Sequence, residues 1–150
     1  MKHTAFVFCL LGLGSIIHAQ GLPVGTWVKR QPEVSTRMNM TVEAVGTGQR
    51  ITYRLVGPNG PTPDFVMTIL TQLDGKDAPL VVNGKPSGET MGIRMIDGRH
   101  TTSVIKVDGK DVGTSKSEVS ADGKVLKIEN TALPAAQGKL ETGVEYWDKK

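Results

Sequence analysis

The chain has 150 residues, with 18 Lys and Arg against 15 Asp and Glu, three histidines and one cysteine. Its basic side chains alternate with Asp, Glu and Thr instead of forming a stripe, which argues against a nucleic-acid partner. So few cysteines and histidines exclude a disulfide framework and a clustered transition-metal site, and we expect no metal and no cofactor.

The first nineteen residues have the layout of a secretory signal peptide. A short basic start at Met1–His3 is followed by an apolar run, Thr4–Ile17, and by the small residue Ala19 before a cleavage site. We predict a signal helix at 1–19 and one domain at 20–150. The apolar run is short for a bilayer span, so no stable membrane insertion is expected after cleavage.

Cleavage would remove the only cysteine, Cys9, and two histidines, His3 and His18. A cysteine-free exported domain is more typical of a bacterial periplasmic or secreted protein than of a small animal secreted domain. Export to the periplasm or the extracellular space, and a bacterial source, are therefore inferred.

The rest of the chain alternates between short strands and turn dipeptides. Asp-Gly and Asn-Gly supply the positive φ angles that two-residue hairpin turns require. The predicted turns are Pro58-Asn59-Gly60-Pro61, Asp74-Gly75, Asn83-Gly84, Asp97-Gly98, Asp108-Gly109 and Asp122-Gly123. The segment Thr131–Lys139 could hold one helical turn, but Pro134 favours a loop.

Between the turns, apolar and polar residues alternate with a period of two, which indicates strands with one solvated face. The predicted inner face carries Met38, Met40, Val42, Ala44, Ile51, Tyr53, Leu55, Phe65, Met67, Ile69, Thr71, Met91, Ile93, Met95, Leu126, Ile128, Leu140, Val144 and Tyr146. The predicted outer face carries Thr41, Glu43, Thr52, Arg54, Arg94, Lys127, Glu129, Glu141 and Glu145.

About nine strands, within a range of eight to ten, predict an all-β domain. Short connections favour an antiparallel up-and-down meander, and closure into a barrel would hide the strand edges.

The first strand begins with Val24-Gly25-Thr26-Trp27. This Gly-x-Trp, followed by a meander of barrel size, resembles the calycin group of lipocalins and fatty-acid-binding proteins. The second half, with Asp108-Gly109-Lys110, Asp122-Gly123-Lys124 and the closing Tyr146-Trp147-Asp148-Lys149, is similar to small exported bacterial lipocalin-like proteins of uncharacterised function. The resemblance implies a barrel with an interior ligand site, plugged at one end by Trp27.

Methionine is the most informative residue type, because it is flexible and adapts to apolar ligands. The residues predicted to line a ligand site are Met38, Met40, Ile51, Tyr53, Phe65, Met67, Ile69, Met91, Ile93 and Met95. Alternatively, these methionines fill a core that is poor in aromatic residues. Arg54, Arg94 and Arg99 are candidate anchors for an anionic head group, although the first two have outward parity.

His100 is the only histidine outside the leader, and no Gly-x-Ser-x-Gly elbow accompanies it, so we do not expect an enzyme. The preferred interpretation is an exported binding protein that holds a small apolar or amphipathic molecule inside a lipocalin-like barrel. The alternative is a structural or protein-interaction module of the cell envelope with a solid core and no ligand.

Overall fold

The computed structural model describes residues 21–31, 36–137 and 140–150; the leader predicted at 1–19 lies outside them. Across this part of the chain, ten strands follow one another with short connections. They are β1 (Gly25–Lys29), β2 (Arg37–Val45), β3 (Gly48–Gly57), β4 (Gly60–Thr71), β5 (Asp74–Val82), β6 (Lys85–Met95), β7 (His100–Val107), β8 (Lys110–Val119), β9 (Val125–Ala132) and β10 (Gly143–Lys149).

The ten strands form a closed barrel. Each strand pairs antiparallel with its neighbour in sequence, and β1 closes the sheet by pairing with both β2 and β10. Closure leaves no unpaired edge between first and last strands. The predicted all-β fold, the meander order and the barrel closure are therefore confirmed.

Two of the predicted turns have the expected backbone conformation. Asn83-Gly84 and Asp108-Gly109 each place both residues at positive φ, as tight hairpin turns require. Asp74-Gly75 was predicted wrongly as a turn. The chain reverses just before it, with Leu73 at positive φ, and Asp74-Gly75 begins β5, where the Asp74 carboxylate accepts a hydrogen bond from the Lys76 backbone N–H.

The β4–β5 pair has a short ladder, with direct register only at Met67–Val82 and Thr68–Val81. The side chain of Asn83 extends this contact, since its Oδ1 accepts from Val66 N and its Nδ2 donates to Asp64 O. The Asn83 side chain therefore makes hydrogen bonds to the β4 backbone of the kind that backbone groups make between other strands of the barrel.

The barrel has two different ends. At the first end lie the β2–β3, β4–β5, β6–β7 and β8–β9 turns, and the segment before β1 crosses it. Leu22 is held there by the inward-facing Gln49, whose Oε1 accepts from Leu22 N at 3.0 Å and whose Nε2 donates to Leu22 O at 2.7 Å. At the second end lie the other connections, including the β9–β10 segment. A single 3-10 turn, Pro134–Ala136, occurs in this segment, which the sequence had predicted as a loop.

The core cluster lies mainly toward the first end of the barrel. Its fully buried side chains alternate along the strands as predicted, and the largest are Trp27, Met40, Val42, Ile51, Ile69, Leu126 and Trp147. The prediction for the last strand was wrong. Val144 and Tyr146 are exposed on the outer face, whereas Glu145 and Trp147 point inward, because the register of β10 places them opposite Ile128 and Leu126.

Candidate ligand-binding cavity

A cavity of about 350 Å³ occupies the interior of the barrel. It extends from Leu22, at the first end, to Leu140 and Glu141 in the β9–β10 segment at the second end. Its volume lies at the lower limit of the range typical of small-molecule sites.

Seven of the ten predicted ligand residues lie on the wall of this cavity. They come from β2, β3, β4 and β6 and are Met38, Met40, Ile51, Tyr53, Met67, Met91 and Ile93. Ile69 and Met95 pack instead in or against the core cluster, and Phe65 is half-buried; none of these three lines the cavity. The alternation identified the inner face, but could not say which part of it is packed and which part is open.

Trp27 is fully buried and lies outside the cavity wall. Its indole N–H donates to the carbonyl oxygen of Pro23 at 3.2 Å, and the Lys149 ammonium lies 5.9 Å from its ring centroid. The indole is thus fixed beneath the segment that crosses the first end. This position is compatible with the predicted plug, which stays a prediction.

A half-buried ion pair lies on the cavity wall. The Lys29 ammonium is 2.7 Å from Glu145 Oε1, and the other carboxylate oxygen accepts from Trp147 Nε1 at 3.2 Å. Lys29 also lies 5.9 Å from the Trp147 ring centroid. Sequence reasoning missed this cluster because it placed Glu145 outside. Trp147 lies two residues further along β10 and therefore on the same face as Glu145. Its large apolar side chain indicates that this face points inward.

Tyr53 lies between this charged cluster and the methionines. Its ring meets the Trp147 ring edge to face, with centroids 5.9 Å apart and planes at 68°. Burial raises the pKa of Tyr53 to about 12, with a smaller contribution from the Glu145 carboxylate. The phenol is therefore a neutral hydrogen-bonding group at physiological pH.

The opposite wall is lined with hydroxyl groups. Thr101 on β7 hydrogen-bonds Ser117 on β8, and one layer nearer the second end Ser103 hydrogen-bonds Ser115. Asn130 on β9 is the register partner of Ser115 and also lines the cavity. The alternating pattern gives no signal for this wall, since inward-facing serine and threonine interrupt the apolar positions.

A second, smaller cavity of about 190 Å³ lies beside the Pro134–Ala136 turn. It shares four wall residues with the main cavity, which are Met67, Met91, Ile105 and Leu140. Gly113 makes room for this arrangement, because a Cβ atom there would lie 2.8 Å from Leu140 Cδ1. The side chains of Met67, Met91, Ile105 and Leu140 thus separate the two cavities.

The candidate arginine anchors do not reach the cavity. Arg54, Arg94 and Arg99 are all exposed and none lines the wall. The prediction that they anchor the head group of a ligand in the cavity is therefore wrong. The cation of the cavity is Lys29 instead.

His100 also lies apart from the cavity. Its Nδ1 is 2.8 Å from Asp97 Oδ1 in the β6–β7 turn, and its Nε2 is 3.7 Å from Glu118 Oε1. Hydrogen bonds from Arg99 N and His100 lower the pKa of Asp97. His100 therefore connects the β6–β7 turn, through Asp97, to Glu118 on β8, and these contacts support the structure of the barrel wall.

Within residues 21–31, 36–137 and 140–150, no group of three or more His, Cys, Asp or Glu side chains is placed to hold a metal ion. Over the same ranges there is no helix of the length and hydropathy needed to cross a membrane. The sequence matches no protein-family model and none of the curated proteins with which it was compared.

Proposed function

We propose that this protein is an exported, lipocalin-like carrier that holds a small amphipathic molecule inside its barrel. The observation that carries the proposal is the cavity of about 350 Å³, with methionine, isoleucine and tyrosine side chains on one wall and hydrogen-bonding groups among isoleucine and leucine side chains on the other.

The size of the cavity supports a ligand over a solid core. One water molecule occupies roughly 30 Å³ of liquid, so the cavity has room for about a dozen water-sized groups. Interiors of proteins otherwise pack to the density of organic crystals, and a space this large is uncommon unless something fills it. The alternative, an interaction module with a solid core, is therefore disfavoured.

Affinity would come chiefly from the apolar wall. Each 100 Å² of apolar surface removed from water contributes roughly 2.5 kcal/mol before the costs of association are subtracted. Met38, Met67 and Met91 can change rotamer at little cost, which allows the wall to close on ligands of different outline. Lys29, Glu145 and Tyr53 would fix the orientation of the polar part.

The proposed compartment is the periplasm or the extracellular space. It rests on the signal-peptide pattern of residues 1–19 and on the lack of cysteine after it. Amino-terminal sequencing of protein recovered from a bacterial periplasmic fraction is expected to begin at Gln20. Retention of the leader on protein found only in the cytoplasm would contradict export without affecting the carrier proposal.

Binding is tested with the neutral fluorescent probe N-phenyl-1-naphthylamine. Its emission is expected to rise saturably with the purified wild-type protein. In Ile128→Trp, where the added side chain projects into the cavity from β9, the rise is expected to fall at least tenfold. Val144→Trp is the matched control, since Val144 lies on the outer face of the neighbouring strand and is 54% exposed.

Native mass spectrometry of the same preparations measures whether an apolar molecule co-purifies. Loss of probe binding in Ile128→Trp alone, at an unchanged thermal midpoint, supports the carrier. If wild-type protein binds no probe and carries no adduct, or if Ile128→Trp binds as wild type does, the interior is not a binding site and the interaction module is favoured.

A further inference from the structure

The hydroxyl wall holds more hydrogen-bonding capacity than its own contacts use. A hydroxyl group has one hydrogen to donate and two lone pairs. In each of the pairs Thr101–Ser117 and Ser103–Ser115, one hydrogen serves the contact and the other is left over, together with acceptor lone pairs. Both pairs lie on the cavity wall, so this capacity points to whatever fills the space.

Two of the four hydroxyl groups are largely shielded from solvent, which makes their remaining capacity significant. Thr101 and Ser103 are only 6% and 9% exposed, and Ser115 and Ser117 are half-buried. Each hydroxyl group is satisfied by its cross-strand partner, but the spare hydrogen of each pair has little access to water. An occupant with its own polar atoms would accept that hydrogen.

The wall is elongated along the strands. Thr101 and Ser103 are two residues apart on β7, and their partners are two residues apart on β8, so the pairs lie about 7 Å from each other. Asn130 widens the second layer toward β9. Polar atoms therefore follow one side of the cavity in depth, and are not confined to its mouth.

The apolar wall faces this stripe. In a ring of ten strands, β2 stands opposite β7, β3 opposite β8 and β4 opposite β9. Met38, Met40, Ile51 and Met67 lie on β2, β3 and β4. The hydroxyl groups and Asn130 lie on β7, β8 and β9, where Ile105, Leu126 and Ile128 also line the cavity. A straight-chain amphiphile with one terminal head group would leave most of the stripe's spare hydrogen-bonding capacity unused.

If the protein is a carrier as proposed above, these observations define its ligand class. We infer that the ligand is a compact ring-containing molecule whose hydroxyl or carbonyl oxygens lie along one edge, while the other edge is apolar. Rings hold several oxygens in place without the entropy cost that a flexible polyol would bear on binding. Aromatic rings would also make favourable contacts with the methionine sulfurs.

Two isomers provide a direct test. 2,7-Dihydroxynaphthalene has both hydroxyl groups along one long edge and leaves the other long edge apolar, whereas 2,6-dihydroxynaphthalene has one hydroxyl group on each long edge. Neither isomer forms an internal hydrogen bond, so the hydroxyl groups are available to the wall. Displacement of N-phenyl-1-naphthylamine is expected to show the 2,7-isomer binding about tenfold more tightly, the effect of one or two additional net hydrogen bonds. Decanoate, a straight chain with the same numbers of carbon and oxygen atoms, is expected to bind more weakly than the 2,7-isomer.

The double variant Ser103→Ala/Ser115→Ala removes both partners of one pair together, so the fold is expected to keep its thermal midpoint. The preference for the 2,7-isomer is expected to fall to threefold or less, while probe binding is retained. Thr52→Val/Thr68→Val is the matched control, because Thr52 and Thr68 form the same kind of cross-strand pair, at 3.5 Å, on the opposite parity of their strands.

Should the double variant not fold, Thr101→Val/Ser117→Ala addresses the other pair, and the isomer preference of the wild type stands as a separate measurement. Equal binding of the two isomers to wild type, or an unchanged preference in the folded variant, would overturn this inference while leaving the carrier intact. Failure of wild type to bind the probe at all would instead overturn the carrier proposal.

Discussion

The two ends of the barrel differ in how completely they are packed. Toward the first end, Trp27, Val42 and Ile69 are 0–2% exposed and Gln49 fixes the crossing segment. Between Lys29 and Leu140 the wall instead surrounds open space, which narrows the packed part to one side of the barrel where it reaches Leu22 at the first end. The same alternating strands thus build a solid core over part of their length and a container over the rest.

This difference separates the residues that hold the fold from those that select a ligand. Substitutions toward the first end remove packing or satisfied hydrogen bonds, and their cost is expected in the free energy of unfolding. Substitutions around the cavity change groups that already face open space, and their effect is expected mainly in binding. Measuring both quantities for each variant tests the division.

The largest effect is expected for Trp27→Ala. The side chain is 0% exposed, and removing an aromatic ring from a packed core costs about 3–5 kcal/mol in the free energy of unfolding, through lost burial and the remaining hole. Urea denaturation monitored by circular dichroism measures it. Ile96→Ala, at a site 57% exposed, is the control and is expected to change stability by less than about 0.5 kcal/mol. A loss under 1 kcal/mol for Trp27→Ala would contradict the solid first end.

Gln49→Ala is expected to have the next largest effect. The variant leaves the buried backbone N–H and C=O of Leu22 without their partner, at a cost of about 1–3 kcal/mol. Faster hydrogen exchange at the Leu22 amide is expected together with the lower stability. Gln72→Ala is the control, since Gln72 is exposed and accepts a hydrogen bond from the Thr47 hydroxyl at the surface. Equal exchange in both variants would argue against the crossing segment as a closure.

Tyr53 links the two regions and makes stability depend on alkaline pH. Its folded pKa of about 12 lies above the ordinary value of 10.0, so the unfolded chain loses this proton first. The contribution is fully present below pH 10 and is lost as pH rises toward 12. By pH 11 the wild type is expected to lose about 1 kcal/mol more than Tyr53→Phe does.

The measurement is urea denaturation of both proteins at pH 8 and pH 11. The lysines, which also titrate in this range, are identical in the two proteins and cancel in the comparison. Parallel pH dependences would show that the phenol is not buried against the cavity wall as the structure has it.

Sequence patterning predicted the strands well because alternation is a local property that each hairpin repeats. It assigned five methionines to the inner face. Four of them, Met38, Met40, Met67 and Met91, line the cavity, and Met95 packs against the core cluster. It misassigned β10, where Val144 and Tyr146 are apolar but exposed. The pairing register with β9 shows that Trp147, and neither Val144 nor Tyr146, lies on the inner face of β10.

The polar part of the site could not be predicted in the same way. Thr101, Ser103, Ser115 and Ser117 are ordinary strand residues, and their inward direction follows from pairing across β6, β7 and β8. Likewise, Lys29 and Glu145 are 116 positions apart and meet only because β1 closes the sheet against β10. Closure is a property of the whole chain, so no local pattern contains it.

The smallest expected change in stability comes from the ion pair on the cavity wall. Lys29 and Glu145 side chains are 24% and 28% exposed, and a pair so accessible to solvent contributes under about 1 kcal/mol. Its effect should appear in selectivity instead. Glu145→Gln frees the Lys29 ammonium from its carboxylate, so dodecanoate is expected to bind about threefold more tightly, and dodecylamine about threefold more weakly.

Glu129→Gln is the matched control, because Glu129 pairs with Lys127 on the outer face of β9 and should leave both affinities unchanged. Unchanged affinities at unchanged stability would mean that Lys29 does not face the bound molecule. Unchanged affinities combined with a large loss of stability would mean that the ion pair belongs to the structural part of the barrel. Either result would mean that the packed core extends further toward the second end than the cavity wall indicates. The Glu145→Gln variant therefore tests where along the strands the packed core ends and the ligand cavity begins.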